Sequence, residues 1–249
     1  MTRVLLSGAL GRMGKVITEL GSDREDLEII AGIDRVSGNT SFPIYSSFND
    51  VKENPNVIID FSNPAALNDL LTFAKKNNTP VIICTTGYSD EQKKEIEEAS
   101  KSIPVFFSAN MSLGVNLICE LAKKAAKVLY PDFNIEIIEK HHNQKIDAPS
   151  GTALMLADEI NSSIDEDMNY EYNRHDKHEK RPVNEIGIHS VRAGTIAGEH
   201  EVLFGGPDEI VSIKHTASSR NIFAAGALNA ATFMDGKEPG LYSMKDMID

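Results

Sequence analysis

Between Ile138 and Ile160 the chain reads IEKHHNQKIDAPSGTALMLADEI. That places His141, His142 and Lys145 just ahead of a Ser150-Gly151-Thr152 turn and a helix. Near neutral pH, histidine is the side chain best suited to give or take a proton, and Lys145 carries a full charge and can also donate. Neighbours in a strand point to opposite faces, so His141 and His142 diverge unless the strand ends there, as Asn143 and Gln144 suggest. Pro149 and Ser150 lead into the helix. The amides around Ser150, Gly151 and Thr152 then face outward as a preformed anion site, with the Thr152 hydroxyl as a further donor. The chemistry implied is proton transfer beside a bound carboxylate. Taken alone, the KHH cluster also reads as an exposed basic strand end.

Two other chemistries fit less well. His141, His142, Asp147, His175 and His178 are zinc-ligand types, but none falls in HExxH or paired-cysteine spacing, so no metal is expected. Ser150 lacks the G-x-S-x-G elbow of a serine hydrolase. The chain has 25 Lys and Arg against 37 Asp and Glu, a net charge of −12. Such a field repels nucleic acid and small anions alike, so an anion site has to be built locally from a few cationic groups.

A second constellation lies at the N-terminus. VLLSGALGRMG has glycines at 8, 11 and 14, with Ala9 where the first glycine of a dinucleotide fingerprint would be. Gly11 allows the backbone to approach a pyrophosphate, Gly14 lets the helix pack closely on the strand, and the helix N-terminus supplies N–H groups and a positive dipole end. Asp34, twenty residues after Gly14, is placed to hold the adenosine ribose hydroxyls. It favours the 2′-hydroxyl of NAD, whereas Arg35 can pair with the 2′-phosphate of NADP, so either cofactor is permitted. In an open parallel sheet, ligands sit beyond the carboxyl ends of the strands. Thr85, Thr86 and the backbone from Ser108 through Ala109 and Asn110 to Met111 are therefore placed along the nicotinamide half.

The elements that must position these groups alternate through the first hundred residues. RVLLSG, LEIIAGID, NVIIDFS, PVIICTTG and IPVFFSAN read as strands. Between them lie helices in GRMGKVITELGSD, AALNDLLTFAKKNN (Asn63 as N-cap, Pro64 in the first turn) and SDEQKKEIEEASKS. Continuous apolar strands between helices predict a parallel sheet covered on both faces. After the helix in SLGVNLICELAKKAAKVL the rhythm changes. EIGIHSVR, GEHEVLFG and EIVSIKHTA follow without intervening helices, GGPDE marks a hairpin, and SSRNIFAAGALNAATFMDG is an amphipathic helix able to return to the first domain. NRHDKHEKRP is expected to be the mobile loop. The predicted class is α/β: a Rossmann-type doubly wound sheet plus a second α+β domain with a mixed, mostly antiparallel sheet. No run approaches a membrane span, no targeting segment is recognised, and Cys84 and Cys119 suit a reducing compartment, so a cytoplasmic protein is expected.

GALGRMG, CTTG, SANMSLGVN, IIEKHHNQKIDAPSGTAL, SVRAGTIAGEHEVLF and HTASSR together resemble the ordered motifs of the 4-hydroxy-tetrahydrodipicolinate reductase family, of diaminopimelate and lysine synthesis. The resemblance covers nearly the whole chain. It implies a dinucleotide-binding domain over 1–111 and 220–249, and a substrate-binding and oligomerisation domain over 112–219 that builds a homotetramer. By motif, Gly8, Ala9, Leu10, Gly11, Arg12 and Met13 bind NADPH or NADH, with Asp34 and Arg35 at the adenosine end. Cys84, Thr85 and Thr86, with Ser108 to Met111, face the nicotinamide side; Cys84 departs from the glycine of many relatives. His141 and Lys145 correspond to the proton-transferring residues, and His142, Lys145, Ser150, Gly151 and Thr152 to the substrate contacts. Arg220 is a weaker candidate for a carboxylate partner. The implied substrate is a cyclic dicarboxylate that loses water to a conjugated imine, then takes hydride at C4 and a proton at C3. The alternatives are another Rossmann reductase of an imine or aldehyde of amino-acid metabolism, and a cofactor-binding sensor without turnover. A sensor would not need the His-Lys cluster.

Overall fold

The computed structural model describes residues 1–248, in which two compact units are formed. Strand β1 (Thr2–Ser7) leads through the glycine turn into α1 (Arg12–Ser22), followed by β2 (Leu27–Ile33), β3 (Ile44–Tyr45) and β4 (Val57–Asp60). Helix α2 (Leu67–Asn77), β5 (Val81–Ile83), α3 (Asp90–Ser100) and β6 (Pro104–Phe107) complete the first run. Then come α4 (Leu113–Leu129), β7 (Asn134–His141), α5 (Gly151–Asn161), β8 (Asn169–Glu171), β9 (Glu185–Arg192), β10 (Gly198–Gly205) and β11 (Ile210–Ala217). The chain closes with α6 (Asn221–Met234) and β12 (Gly240–Tyr242). One unit is Met1–Ser112 with the segment from Asn221 onward; the other is Leu113–Arg220.

The first unit is a seven-stranded sheet in the order β12-β6-β5-β4-β1-β2-β3, parallel at every pairing. Its central strands are buried on both faces, which is why they read as unbroken apolar runs. Leu6, Ile59, Ile82 and Phe106 pack with Ile17 and the small residues Ala224, Ala227 and Ala231 of α6 on one face; Leu5, Ile58, Ile83 and Val105 pack with α2 and α3 on the other. The Asn63 side chain accepts from the Ala65 amide at 3.0 Å, and Ser89 with Gln92 forms a capping box on α3. Strands β3, β8 and β12 are not foreseen from the sequence. Two- and three-residue strands are too short to show a period.

In the second unit a five-stranded sheet runs β11-β10-β7-β9-β8. The pairs β10–β11 and β10–β7 are antiparallel; β7–β9 and β8–β9 are parallel. Along β7, Ile135, Ile137, Glu139 and His141 alternate inward, so a two-residue period carries an acid and a histidine into a buried row. Ile118, Ala122 and Ala126 of α4 and Ala153, Leu156 and Ile160 of α5 cover the apolar part of that face. The expected mobile loop is anchored: the Arg174 guanidinium donates to both oxygens of buried Glu185 at 2.7 and 2.8 Å, and Arg181 to Glu136 at 3.0 Å.

Candidate active site

The glycine turn has the geometry a dinucleotide needs. Gly8 sits at φ +77°, where a Cβ would lie 2.5 Å from the Phe61 carbonyl oxygen, and its amide donates to the Ile33 carbonyl at 2.9 Å. A Cβ on Gly14 would lie 2.3 Å from the Gly8 oxygen and 2.4 Å from that of Ala9, so α1 rests directly on the turn. Gly11 is the N-cap of α1, and no side chain caps the helix there. Gly11 and Arg12 are exposed, Leu10 and Met13 half-buried, and Ala9 buried in the core. The cradle left by absent side chains, at an uncapped helix N-terminus, fits a pyrophosphate.

Asp34 has a second task. Its Oδ2 accepts the Leu10 amide at 2.9 Å, which ties the end of β2 to the turn. Sequence reasoning gave this carboxylate only the ribose. Arg35 beside it is exposed.

The threonine pair is divided. Thr86 is exposed, whereas Thr85 is buried and its hydroxyl donates to Asp60 Oδ2 at 2.6 Å. Asp60, at the end of β4, is fully buried and also accepts from the Ser62 hydroxyl at 2.5 Å. Burial raises its pKa, and those hydroxyls oppose the rise. The Thr85 side chain is therefore committed to holding the strand ends together, so only its backbone can serve a nicotinamide. The Cys84 side chain packs into the α6-side core, and burial pushes its thiol pKa up. Ser108 and Ala109 remain accessible; Asn110 and Met111 are buried. Asn110 Oδ1 accepts the Ser112 amide at 2.8 Å, and a Cβ on Gly226 would fall 1.7 Å from the Met111 oxygen.

In the second unit two predicted residues, His141 and Ser150, join a buried network around Glu139, whereas His142 and Lys145 are half-buried and Gly151 is exposed. His141 Nδ1 lies 2.6 Å from Glu139 Oε2. Arg192, directly across from His141 on β9, donates to Oε2 at 2.7 Å and Oε1 at 2.6 Å. The Ser150 amide donates to Oε1 at 3.1 Å. Burial alone would raise the Glu139 pKa, but the hydrogen bonds from Arg192 and His141 outweigh it and hold it at about 2. His141 is lowered by its burial; Glu139 opposes that, and the Lys145 and Arg192 charges add to it. Lys145 is held by Asp147 at 2.9 Å, and His142 Nε2 accepts from Arg220 at 3.0 Å.

Ser150 is the N-cap of α5: its hydroxyl oxygen accepts the Ala153 amide at 3.2 Å and lies 2.9 Å from His200 Nε2. That oxygen is buried in structural work rather than presented to a ligand. Gly151 is exposed, and a Cβ there would meet nothing within 4 Å, so the start of α5 is open to an approaching anion. His200 meets His141 edge to face at 5.1 Å, and its own burial pushes its pKa down to about 4. No group of three His, Cys, Asp or Glu among the described residues could hold a metal ion.

Glu139, Arg192 and His200 went unassigned in the sequence reading. The inward alternation of β7 could have exposed Glu139. The other two lie on strands whose register with β7 no local pattern reveals.

Comparison with known proteins spans both units, the second family model running on through α6 and β12 of the first unit. Residues 2–111 match the N-terminal family model of dihydrodipicolinate reductase, and residues 114–248 its C-terminal model. The 4-hydroxy-tetrahydrodipicolinate reductase of Caldanaerobacter subterraneus subsp. tengcongensis is 52% identical over 248 residues, covering 100% of this chain and 98% of the relative. That of Clostridium novyi is 52% identical over 249 residues with the same coverage. Among solved structures, a dipicolinate-bound dihydrodipicolinate reductase from Paenisporosarcina sp. TG-14 superposes with a TM-score of 0.81 at 26% identity, covering 98% of this chain and 97% of that one. A probable dehydrogenase from Thermotoga maritima shares the fold alone, at a TM-score of 0.62 and 12% identity over 98% of this chain and 92% of its own. A glycine-turn nucleotide unit and a unit bearing the His141–Lys145 segment thus occur in one chain because it belongs to the dihydrodipicolinate reductase family.

Proposed function

We infer that this chain catalyses the NAD(P)H-dependent reduction of 4-hydroxy-tetrahydrodipicolinate to tetrahydrodipicolinate, with loss of water, in diaminopimelate and lysine synthesis, and that His141 and Lys145 carry its proton steps. The observation that carries the residue assignment is the backing of His141 by a buried, ionised Glu139, with Lys145 nearby and the open start of α5 following. Gly8 to Met13, with Asp34 and Arg35, would hold the dinucleotide, and the backbone at Thr85, Thr86 and Ser108 to Met111 its nicotinamide end. The bound nicotinamide supplies the hydride.

The chain's own residues supply the rest. Neutral His141 takes the C3 proton at Nε2 as the hydroxyl at C4 leaves as water, its departing oxygen protonated by Lys145. The C4 carbon of the resulting conjugated imine then gains hydride, and His141 returns a proton to C3. The ring dicarboxylate, of the kind carried by the Paenisporosarcina relative, is matched by His142 with Arg220, by Lys145, and by the amides of Gly151 and Thr152. The net charge of −12 makes such local cations necessary.

The test is oxidation of NADPH and of NADH in the presence of substrate generated in the cuvette from pyruvate and aspartate semialdehyde. His141→Gln and Lys145→Met should each lower kcat by about 10²–10⁴-fold while leaving the dissociation constant for NADPH unchanged. Unchanged kcat in both variants would remove the two residues from the chemistry.

We also propose a cytoplasmic homotetramer. No helix among the described residues is long and apolar enough to cross a membrane. The outer face of the second sheet, with Ile138, Leu203 and the Lys140–Glu199–Lys214 ion chain, is only half-buried and suits a subunit contact. Light scattering should give about four times the 27.3 kDa chain mass.

A further inference from the structure

We propose that Glu139, clamped by Arg192, is the positioning residue that fixes His141 with its proton on Nδ1 and presents Nε2 as the proton-exchanging atom. The inference rests on the assignment of His141 to the chemistry and adds how that ring is set.

An ionised carboxylate can only accept hydrogen bonds. Both Glu139 oxygens are occupied by donors: Oε1 by Arg192 and the Ser150 amide, Oε2 by Arg192 and His141. At 2.6 Å from such an oxygen, Nδ1 must carry hydrogen. A neutral imidazole has one N–H, so Nε2 keeps its lone pair. The surroundings leave that atom open. Gly198, on the neighbouring strand, is the residue facing it, and a Cβ there would stand 3.1 Å from Nε2. His200 packs edge-on against the ring and stops it turning.

Arg192 sets the acid in turn. Its second nitrogen also donates to the Asp147 carbonyl at 2.6 Å, joining β9 to the loop that carries Lys145. The charged and titratable groups around His141 are thus Glu139 on its own strand, Arg192 on β9, Lys145 and Asp147 on the loop, and His200 on β10, with His215 paired across from His200 on β11. Among these, the carboxylate in contact with the ring is Glu139. It raises the affinity of the ring for a proton; every cation near it lowers that affinity. When Nε2 takes a proton, Glu139 stabilises the imidazolium.

The experiment is the pH profile of kcat/KM for wild type, Glu139→Gln and Glu139→Asp, together with ¹⁵N NMR of histidine-labelled protein. Glutamine keeps the shape and removes the charge. The expected result is a kcat reduced about tenfold or more in Glu139→Gln, with the acid limb moved to lower pH and the dissociation constant for NADPH unchanged. Glu139→Asp should move the limb back toward wild type. In the wild-type spectrum His141 should show a protonated Nδ1 and a bare Nε2. An acid limb in Glu139→Gln identical to wild type overturns the inference. So does a wild-type His141 protonated at Nε2, a reading that stands even if the variants fail to fold. The two failures are separable. If His141→Gln keeps its turnover, the assignment of His141 falls. If His141→Gln loses turnover but Glu139→Gln leaves the limb in place, only the positioning role falls.

Discussion

Replacing Arg192 by methionine keeps most of the side-chain volume and removes both donors from a carboxylate that has no exposure to solvent. In the wild type the Glu139 pKa lies at about 2 against an ordinary 4.5. At about 1.4 kcal/mol per pH unit, that difference is worth roughly 3 kcal/mol to the folded state. The contribution is fully present above pH 4.5 and is lost as pH falls through the folded value. Without Arg192 the sign reverses, because burial now dominates and pushes the carboxyl above its unfolded value. Breaking a buried ion pair in this way costs about 3–5 kcal/mol. Urea unfolding followed by circular dichroism should show a gap of that size near pH 7, with peptide-resolved hydrogen exchange placing it in β7 and α5. The gap should then narrow by about 1.4 kcal/mol per pH unit once the variant's raised pKa is passed on acidification. Glu139→Gln in the same background should recover much of the loss, since no buried charge is then left alone. A gap that stays constant from pH 7 to 5, or a double variant no better than Arg192→Met, would refute the electrostatic reasoning and leave only lost packing.

Two further outcomes follow from the geometry. His200 is buried, with a pKa of about 4 against an ordinary 6.5, so its contribution to stability is complete above 6.5 and is lost as pH falls toward 4. About 3 kcal/mol should disappear across that window in the wild type, and His200→Gln, which cannot titrate, should lack this loss in urea unfolding repeated at each pH. In the first unit, Gly14→Ala would place a methyl group 2.3 Å from the Gly8 oxygen, a clash with backbone that no side-chain rotation relieves. Overpacking of this kind costs about 1–3 kcal/mol, so urea unfolding should show Gly14→Ala destabilised by that amount. Stability within about 0.5 kcal/mol of wild type would mean that α1 does not rest on the turn as closely as the Gly14 contacts require.

What the sequence made legible was whatever depends on neighbours along the chain. The glycine spacing, the Asn63 cap and the apolar runs of the central strands each follow from steric or hydrogen-bonding demands met within a few residues. The residues that escaped notice are those whose meaning comes from strand register. Arg192 stands 53 positions from Glu139 and acquires its role only because β7 and β9 run parallel with His141 opposite Arg192. His200 meets Ser150 and His141 because β10 pairs antiparallel with β7, placing it beside Glu139. Thr85 shows the converse. Its position at a strand end suggested a ligand contact, yet its hydroxyl is taken by Asp60, whose burial no linear pattern announces. The local motif therefore holds both His141 and the Glu139 that touches its ring, while Arg192 and His200, which clamp that acid and pack on the ring, come from two other strands. A substitution at either distant strand should accordingly change the pH behaviour of His141 without touching the motif that reveals it.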